Sequence, residues 1–135
     1  MKNILIVDDD LPTRILVSEL MQNTVHVIGT GSENETMKFI KITDLSFSLV
    51  LMDYFLPDSN GVELYKKLKF LLPGTPFIAI SAAVTSEIKF KCIKAGFNGF
   101  FTKPFHLDAL KKTIISYCFN SRNLVQQNLY KKLGN

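Results

Sequence analysis

Apolar residues in this chain gather into short runs that end abruptly in polar ones, separated by stretches where apolar positions recur at helical spacing. The segment ILIV runs into Asp8, LVLM into Asp53 and FIAI into Ser81. Continuous hydrophobicity of this length, rich in Ile, Val and Leu, is the pattern of strands buried on both faces. Strands are predicted near 3–8, 24–30, 47–53, 76–81 and 98–102, and helices over 11–22, 33–44, 61–71, 85–95 and 105–118. Asp10 is placed to cap the first helix, with Pro12 in its first turn, where a missing amide hydrogen costs nothing. Gly96 stops the fourth. Five strands alternating with five helices imply right-handed crossovers and a parallel sheet covered on both faces, an α/β fold.

In an open α/β sheet, ligands bind outside the carboxyl ends of the strands. That rule gathers the polar ends into one place. Asp8 and Asp9 end the first strand, Asp53 the third and Ser81 the fourth, while Lys103 follows the fifth. Acidic oxygens hold a divalent cation, and a hydroxyl with an ammonium holds phosphate oxygens, so the set suits a metal and a phosphoryl group together. Crowded carboxylates repel one another unless a cation neutralises them, and hard oxygen ligands favour Mg²⁺, with Mn²⁺ as its substitute.

Composition narrows the classes further. With 135 residues, 47% of them hydrophobic, the chain has the material for one ordinary domain. No apolar run approaches the roughly 20 residues of a membrane span, and the opening MKNILIVDDD meets three acids too early for a signal peptide. A cytoplasmic location without membrane attachment is expected. Cys92 and Cys118 lie far apart without metal-ligand spacing and read as buried, reduced thiols. The net charge of +4 comes mainly from lysines in the second half, on segments read as helices. A solvated helix face explains them better than nucleic acid does, since no nucleic-acid-binding motif accompanies them. Attraction to an acidic protein partner stays open. His26 and His106 fall in a strand and at a helix start, so both read as structural or exposed rather than as phosphohistidines.

The ordered set ILIVDDD, LVLMD, AISA and FTKPF, together with the loop DYFLPDSNG, resembles the receiver domain of response regulators, the CheY-like family of two-component signalling. Pro57 and Gly61 stand four and eight residues after Asp53, as in that family's phosphorylation loop. The resemblance runs from about Lys2 to Cys118. It implies a flavodoxin-like doubly wound sheet of five parallel strands in the order 2-1-3-4-5 with five helices, and a receiver domain over 1–118. The remainder, 119–135, is read as a C-terminal extension.

By the same resemblance, Asp53 is the phospho-acceptor, attacking a phosphohistidine of a histidine kinase or a histidine phosphotransfer protein. Asp8, Asp9 and Asp53 with the backbone carbonyl of Phe55 hold Mg²⁺, while Ser81 and Lys103 take phosphoryl oxygens. Pro104 follows a cis peptide. Phosphorylation draws Ser81 inward and lets Phe100 rotate, changing the face of the fourth helix, fifth strand and fifth helix for a downstream protein target. Such a switch is not an enzyme beyond its own phosphorylation and slow self-dephosphorylation, and acts as a monomer or as a phosphorylation-linked dimer.

Three positions depart from the family pattern. Phe100 replaces a frequent Tyr, so it packs but offers no hydroxyl. Phe55 and Ala83, two residues after Asp53 and Ser81, flank the path of water to the aspartyl phosphate, and neither orients water; slow hydrolysis is expected. Beyond the resemblance, Asn120 or Ser121 is placed to cap a short helix in which Val125, Leu129 and Leu133 share one stripe. Such a stripe suits docking on the domain, pairing of two chains or the start of a linker; a frayed tail fits equally. Two rival readings are weighed. A binding-only pseudo-receiver has no use for so costly an acidic cluster, and a flavodoxin-like nucleotide binder needs a Gly- or Ser-rich phosphate loop where this chain carries three aspartates.

Overall fold

The computed structural model describes residues 1–83 and 85–119. Strands β1 (Asn3–Val7), β2 (His26–Thr30), β3 (Leu49–Asp53), β4 (Phe77–Ser81) and β5 (Gly99–Thr102) form one sheet. Helices α1 (Leu11–Leu20), α2 (Glu33–Ile42), α3 (Gly61–Leu71), α4 (Ser86–Ala95) and α5 (Leu107–Phe119) alternate with them. Every strand pair is parallel and the order is β2-β1-β3-β4-β5, as expected. The extension beyond Phe119, including the stripe of Val125, Leu129 and Leu133, lies outside the described residues.

Side-chain alternation along the strands divides the core in two. Ile4 and Ile6, Leu49 and Leu51, Ile78 and Ile80 point to one face, where Val17 of α1 and Leu110 and Ile114 of α5 cover them. Leu5 and Val7, Val50 and Met52, Phe77 and Ala79 point to the other, against Ile40 of α2, Leu64 and Leu68 of α3, and Cys92 of α4. Fully burying each large apolar side chain contributes about 1.5–3 kcal/mol, so the three central strands dominate the driving force for folding. Cys92 and Cys118 are buried free thiols.

Half of the element ends fall at the predicted residue and all but one of the others fall one or two residues inside the predicted spans, for local causes. The first helix stops at Leu20 because a turn intervenes before β2: Thr24 and Val25 both donate to the Met21 carbonyl, and Asn23 takes φ 66°. Asp10 caps α1, accepting from the Thr13 amide at 3.2 Å and from the Thr13 hydroxyl. Gly96 ends α4 with φ +120°, and a Cβ there would lie 2.6 Å from the Tyr65 hydroxyl. α5 begins at Leu107 rather than 105, with His106 at its start, where His106 Nδ1 accepts from Ala109 N at 3.2 Å. His26 is exposed, its Nδ1 3.2 Å from Asn3 Oδ1.

Candidate functional site

Parallel pairing puts the polar ends of four strands at one edge. Asp53 is the last residue of β3 and Ser81 the last of β4, while Asp8 follows β1 directly and Lys103 follows β5. Lys103 N donates to Ser81 O at 2.9 Å, which carries the last strand past the end of the ladder. The Lys103–Pro104 peptide is cis. Carboxylate oxygens of Asp8, Asp9 and Asp53 then lie within 4.8 Å of one another.

The Lys103 ammonium bridges two of these three carboxylates. Its Nζ is 2.6 Å from Asp8 Oδ2 and 3.2 Å from Asp53 Oδ2. The remaining oxygens of those carboxylates are held by main chain: Asp8 Oδ1 accepts from Asp10 N at 2.9 Å, and Asp53 Oδ1 from Phe55 N at 3.1 Å. Asp8 is fully buried and Asp53 only 6% exposed, whereas Asp9 faces solvent. Burial, followed by the negative charge of Asp8, pushes the Asp53 carboxyl up from 3.8 to about 6, despite the Phe55 amide and the Lys103 ammonium pulling the other way. Burial opposes the Lys103 charge as well, but hydrogen bonding and attraction from Asp8 and Asp53 outweigh it and hold its pKa above 10.5.

One buried polar group beside these charges has no partner among the described residues. Ser81 Oγ is fully buried and makes no hydrogen bond to any of them. Leaving a hydroxyl unpaired in an interior costs about 1–3 kcal/mol, and such groups mark places where something else completes the set. The donor chemistry fits a hard divalent cation: three carboxylates, all oxygen, two of them buried and mutually repelling. A cation there would relieve the strain that burial and Asp8 place on Asp53.

Every residue predicted for the site lies at this edge except Phe100. Asp8, Asp9, Asp53 and Lys103 converge directly. Ser81 ends the strand beside Asp53, in register with Thr102. Phe55 stands next to the acceptor position with its ring about half exposed, in edge contact with Tyr54. Ala83 is exposed. Phe100 is half-buried in β5 and packs on the core beneath α4 rather than at the acidic group.

Two contributors were not read from the sequence. Arg14 lies across the edge strand and donates from Nη1 to the Asp8 carbonyl at 3.1 Å; a Cβ at Gly29 or Gly31 would come within 2.9 or 2.8 Å of its side chain. The signal was present, since Gly29 within β2, with Gly31 directly after its end, marks a close approach. Asp58, in the loop after Asp53, accepts from amides of α2. No sequence spacing announces that contact.

The family model of the response regulator receiver domain matches residues 4–115. The chemotaxis protein CheY of Thermotoga maritima is 28% identical over 115 residues, covering 82% of this chain and 96% of its own length. The phosphate regulon transcriptional regulatory protein PhoB of Pseudomonas aeruginosa is 31% identical over 106 residues, 77% of this chain but 46% of PhoB. Several curated relatives are longer in this way, and the chain spans 20% to 47% of them. Among solved structures, a CheY-like receiver domain protein from Methanospirillum hungatei superposes with TM-score 0.78 at 27% identity, covering 95% of this chain and 97% of its own. No helix among the described residues is long and apolar enough to cross a membrane. With the five-stranded order, the cis-proline lysine and the acidic strand ends all in place, the chain belongs to the response regulator receiver domain family of two-component signalling.

Proposed function

We propose that this chain is a phosphoryl-accepting switch, in which Asp53 takes a phosphoryl group from a phosphohistidine of a histidine kinase or phosphotransfer protein in the cytoplasm. The observation that carries the reading is the Lys103 ammonium bridging Asp8 and Asp53 beside the unpartnered Ser81 hydroxyl. An ionised Asp53 oxygen attacks phosphorus, the O–P bond forms, the P–N bond breaks and the imidazole leaves with its electron pair. Lys103 lies where it neutralises charge on the transferring oxygens, and Ser81 Oγ gains in phosphate the partner it lacks. Asp8, Asp9, Asp53 and the Phe55 carbonyl are the groups that would hold Mg²⁺, which supplies neutralisation of the acidic cluster and of the transferring group. Phosphorylation then alters the α4, β5 and α5 face, with Ser81 and Phe100 as the moving parts, and a target that binds the altered face better shifts the equilibrium toward it. The phosphoryl group ends on the chain's own carboxylate, so the protein is a switch rather than an enzyme.

Incubation with acetyl phosphate and Mg²⁺, read by intact mass, is expected to add one phosphoryl group, and EDTA to prevent it. A folded protein that binds Mg²⁺ and gains nothing would mark a binding-only pseudo-receiver.

The same site should hold its phosphoryl group for long. Phe55 presents a half-exposed ring beside the acceptor, and Ala83 offers no polar atom to orient water. Phe55→Asn is expected to shorten the phosphoryl half-life by about an order of magnitude, equivalent to about 1.4 kcal/mol of barrier. Decay of the phosphorylated mass with time checks this; a wild-type half-life of seconds contradicts it.

A further inference from the structure

The loop from Tyr54 to Asn60, which joins β3 to α3, is closed on itself. Gly61 N donates to Tyr54 O at 2.7 Å, Leu56 N to Ser59 O at 3.3 Å, and Phe55 pairs with Asn60 in an isolated antiparallel bridge. A Cβ on Gly61 would meet Asp53 O at 2.9 Å, so the base of the loop closes as tightly as backbone allows. None of these bonds fixes where the tip points.

The tip is held by α2. Asp58 Oδ1 accepts from Glu33 N at 2.9 Å and Asp58 Oδ2 from Asn34 N at 3.0 Å, across more than twenty residues of chain. The bonding is reciprocal. Ser59 Oγ donates to Glu33 Oε1 at 3.1 Å, and Lys67 Nζ of α3 lies 3.1 Å from Glu33 Oε2. First-turn amides of a helix have no partner within it, and the positive end of the helix dipole favours an anion, so a carboxylate is the matched group. The amides of Asn34 and Glu33 hold the Asp58 carboxyl below its usual 3.8. Ser32 caps α2 through the Glu35 amide alone and Asn60 caps α3, so Asp58 satisfies two further first-turn amides of α2 from a distant segment of the chain. The contact therefore serves the relation between the two segments.

We propose that Asp58 is a positioning residue for the phosphoryl site: its clamp on the first turn of α2 fixes the acceptor loop, and with it Phe55, in the setting that holds Mg²⁺. This rests on the reading of Asp53 as acceptor and of the Phe55 carbonyl as a metal ligand. Asp53 itself belongs to β3 and stays in register without the clamp, while the Gly61–Tyr54 bond still closes the loop. Cutting the clamp leaves Phe55 held only by its bridge to Asn60 and its amide bond to Asp53 Oδ1, while the strand register of the nucleophile is kept. The effect should appear in the metal requirement and not in the rate once metal saturates.

Asp58→Ala is expected to raise the Mg²⁺ concentration for half-maximal phosphoryl uptake from acetyl phosphate about tenfold, as loss of a supporting partner does elsewhere. The rate at saturating Mg²⁺ should stay close to wild type, and Asp58→Asn, which keeps one acceptor oxygen, should fall between the two. A second readout needs no phosphoryl chemistry: Mg²⁺ titration followed by the Phe55 amide resonance should give the same weakened affinity, with hydrogen-exchange protection lost at the Glu33 and Asn34 amides. Unchanged Mg²⁺ affinity in Asp58→Ala with those amides unprotected would overturn the proposal, as would a uniform loss of rate without any shift in metal requirement. If the wild type takes up no phosphoryl group, the acceptor reading fails alone, and the Mg²⁺ titration still decides the clamp.

Discussion

Asp53→Ala is expected to gain no phosphoryl group from acetyl phosphate and Mg²⁺, and Lys103→Ala to gain it at least about a hundredfold more slowly than wild type, the usual consequence of deleting one preorganised charge-stabilising group. The first removes the attacking oxygen. The second leaves that oxygen in place and takes away the ammonium that reaches both Asp8 and Asp53. No other cation among the described residues does this, since Arg14 spends its Nη1 on the Asp8 carbonyl. Charge spreading onto the phosphoryl oxygens would then meet carboxylates on one side and an unaided Ser81 hydroxyl on the other. Lys103→Arg separates charge from shape. It keeps the cation but replaces a compact ammonium, seated 2.6 Å from Asp8, with a planar fork. A rate restored to wild type by arginine would mean that positive potential alone matters; a rate that stays low would mean that position does. Circular dichroism beside each rate keeps folding separate from chemistry, because removing Lys103 leaves buried carboxylates uncompensated. Uptake by Lys103→Ala near the wild-type rate would remove Lys103 from the reaction.

What the sequence made legible and what it hid follow from the range of the interactions concerned. Runs such as ILIV and LVLM are buried on both faces, so hydrophobicity alone located β1 and β3, and the polar residues that end them located the site. Element ends were less legible because they depend on single bonds, such as those of Thr24 and Val25 to Met21, or that of Ala109 N to His106 Nδ1 at the start of α5. The Asp10 cap was readable since its partner Thr13 lies three residues on. Asp58 was not, since its partners Glu33 and Asn34 are distant in sequence and offer only main-chain amides, which every residue possesses. Arg14 falls between these cases. Nothing in its own neighbourhood points to Asp8, but the two glycines that make room for it break the strand pattern of β2 at just that place. Phe100 was placed in the right strand, yet its packing beneath α4 depends on register, which alternation alone does not give.

Asp53→Asn should stabilise the metal-free protein, and the size of the gain should depend on pH. The Asp53 carboxyl titrates near 3.8 in an unfolded chain and at about 6 in the folded one, first because it is buried and then because Asp8 is beside it. Below about pH 4 both states carry the proton, and this group costs the fold nothing. As pH rises toward 6 the unfolded chain ionises first, so unfolding releases a proton and stability falls. Above pH 6 the folded state bears the whole penalty, about 3 kcal/mol for a difference of this size. An amide approximates the protonated carboxyl and escapes the penalty. At pH 7.5, in EDTA, Asp53→Asn is therefore expected to melt roughly 10 °C above wild type, with the gap closing as pH falls toward 4. Mg²⁺ should close it from the other side. A cation bound by the acidic cluster only in the folded state raises the wild-type Tm, by the equivalent of about 2.7 kcal/mol at a hundred times its Kd, and raises that of Asp53→Asn far less. Thermal melts of both proteins at pH 4.5 and 7.5, with EDTA and with Mg²⁺, check the argument. An Asp53→Asn protein no more stable than wild type at pH 7.5, or a gap independent of pH, would mean that Lys103 already compensates the buried charge. The acidic cluster would then hold no stored repulsion for metal or phosphoryl group to relieve.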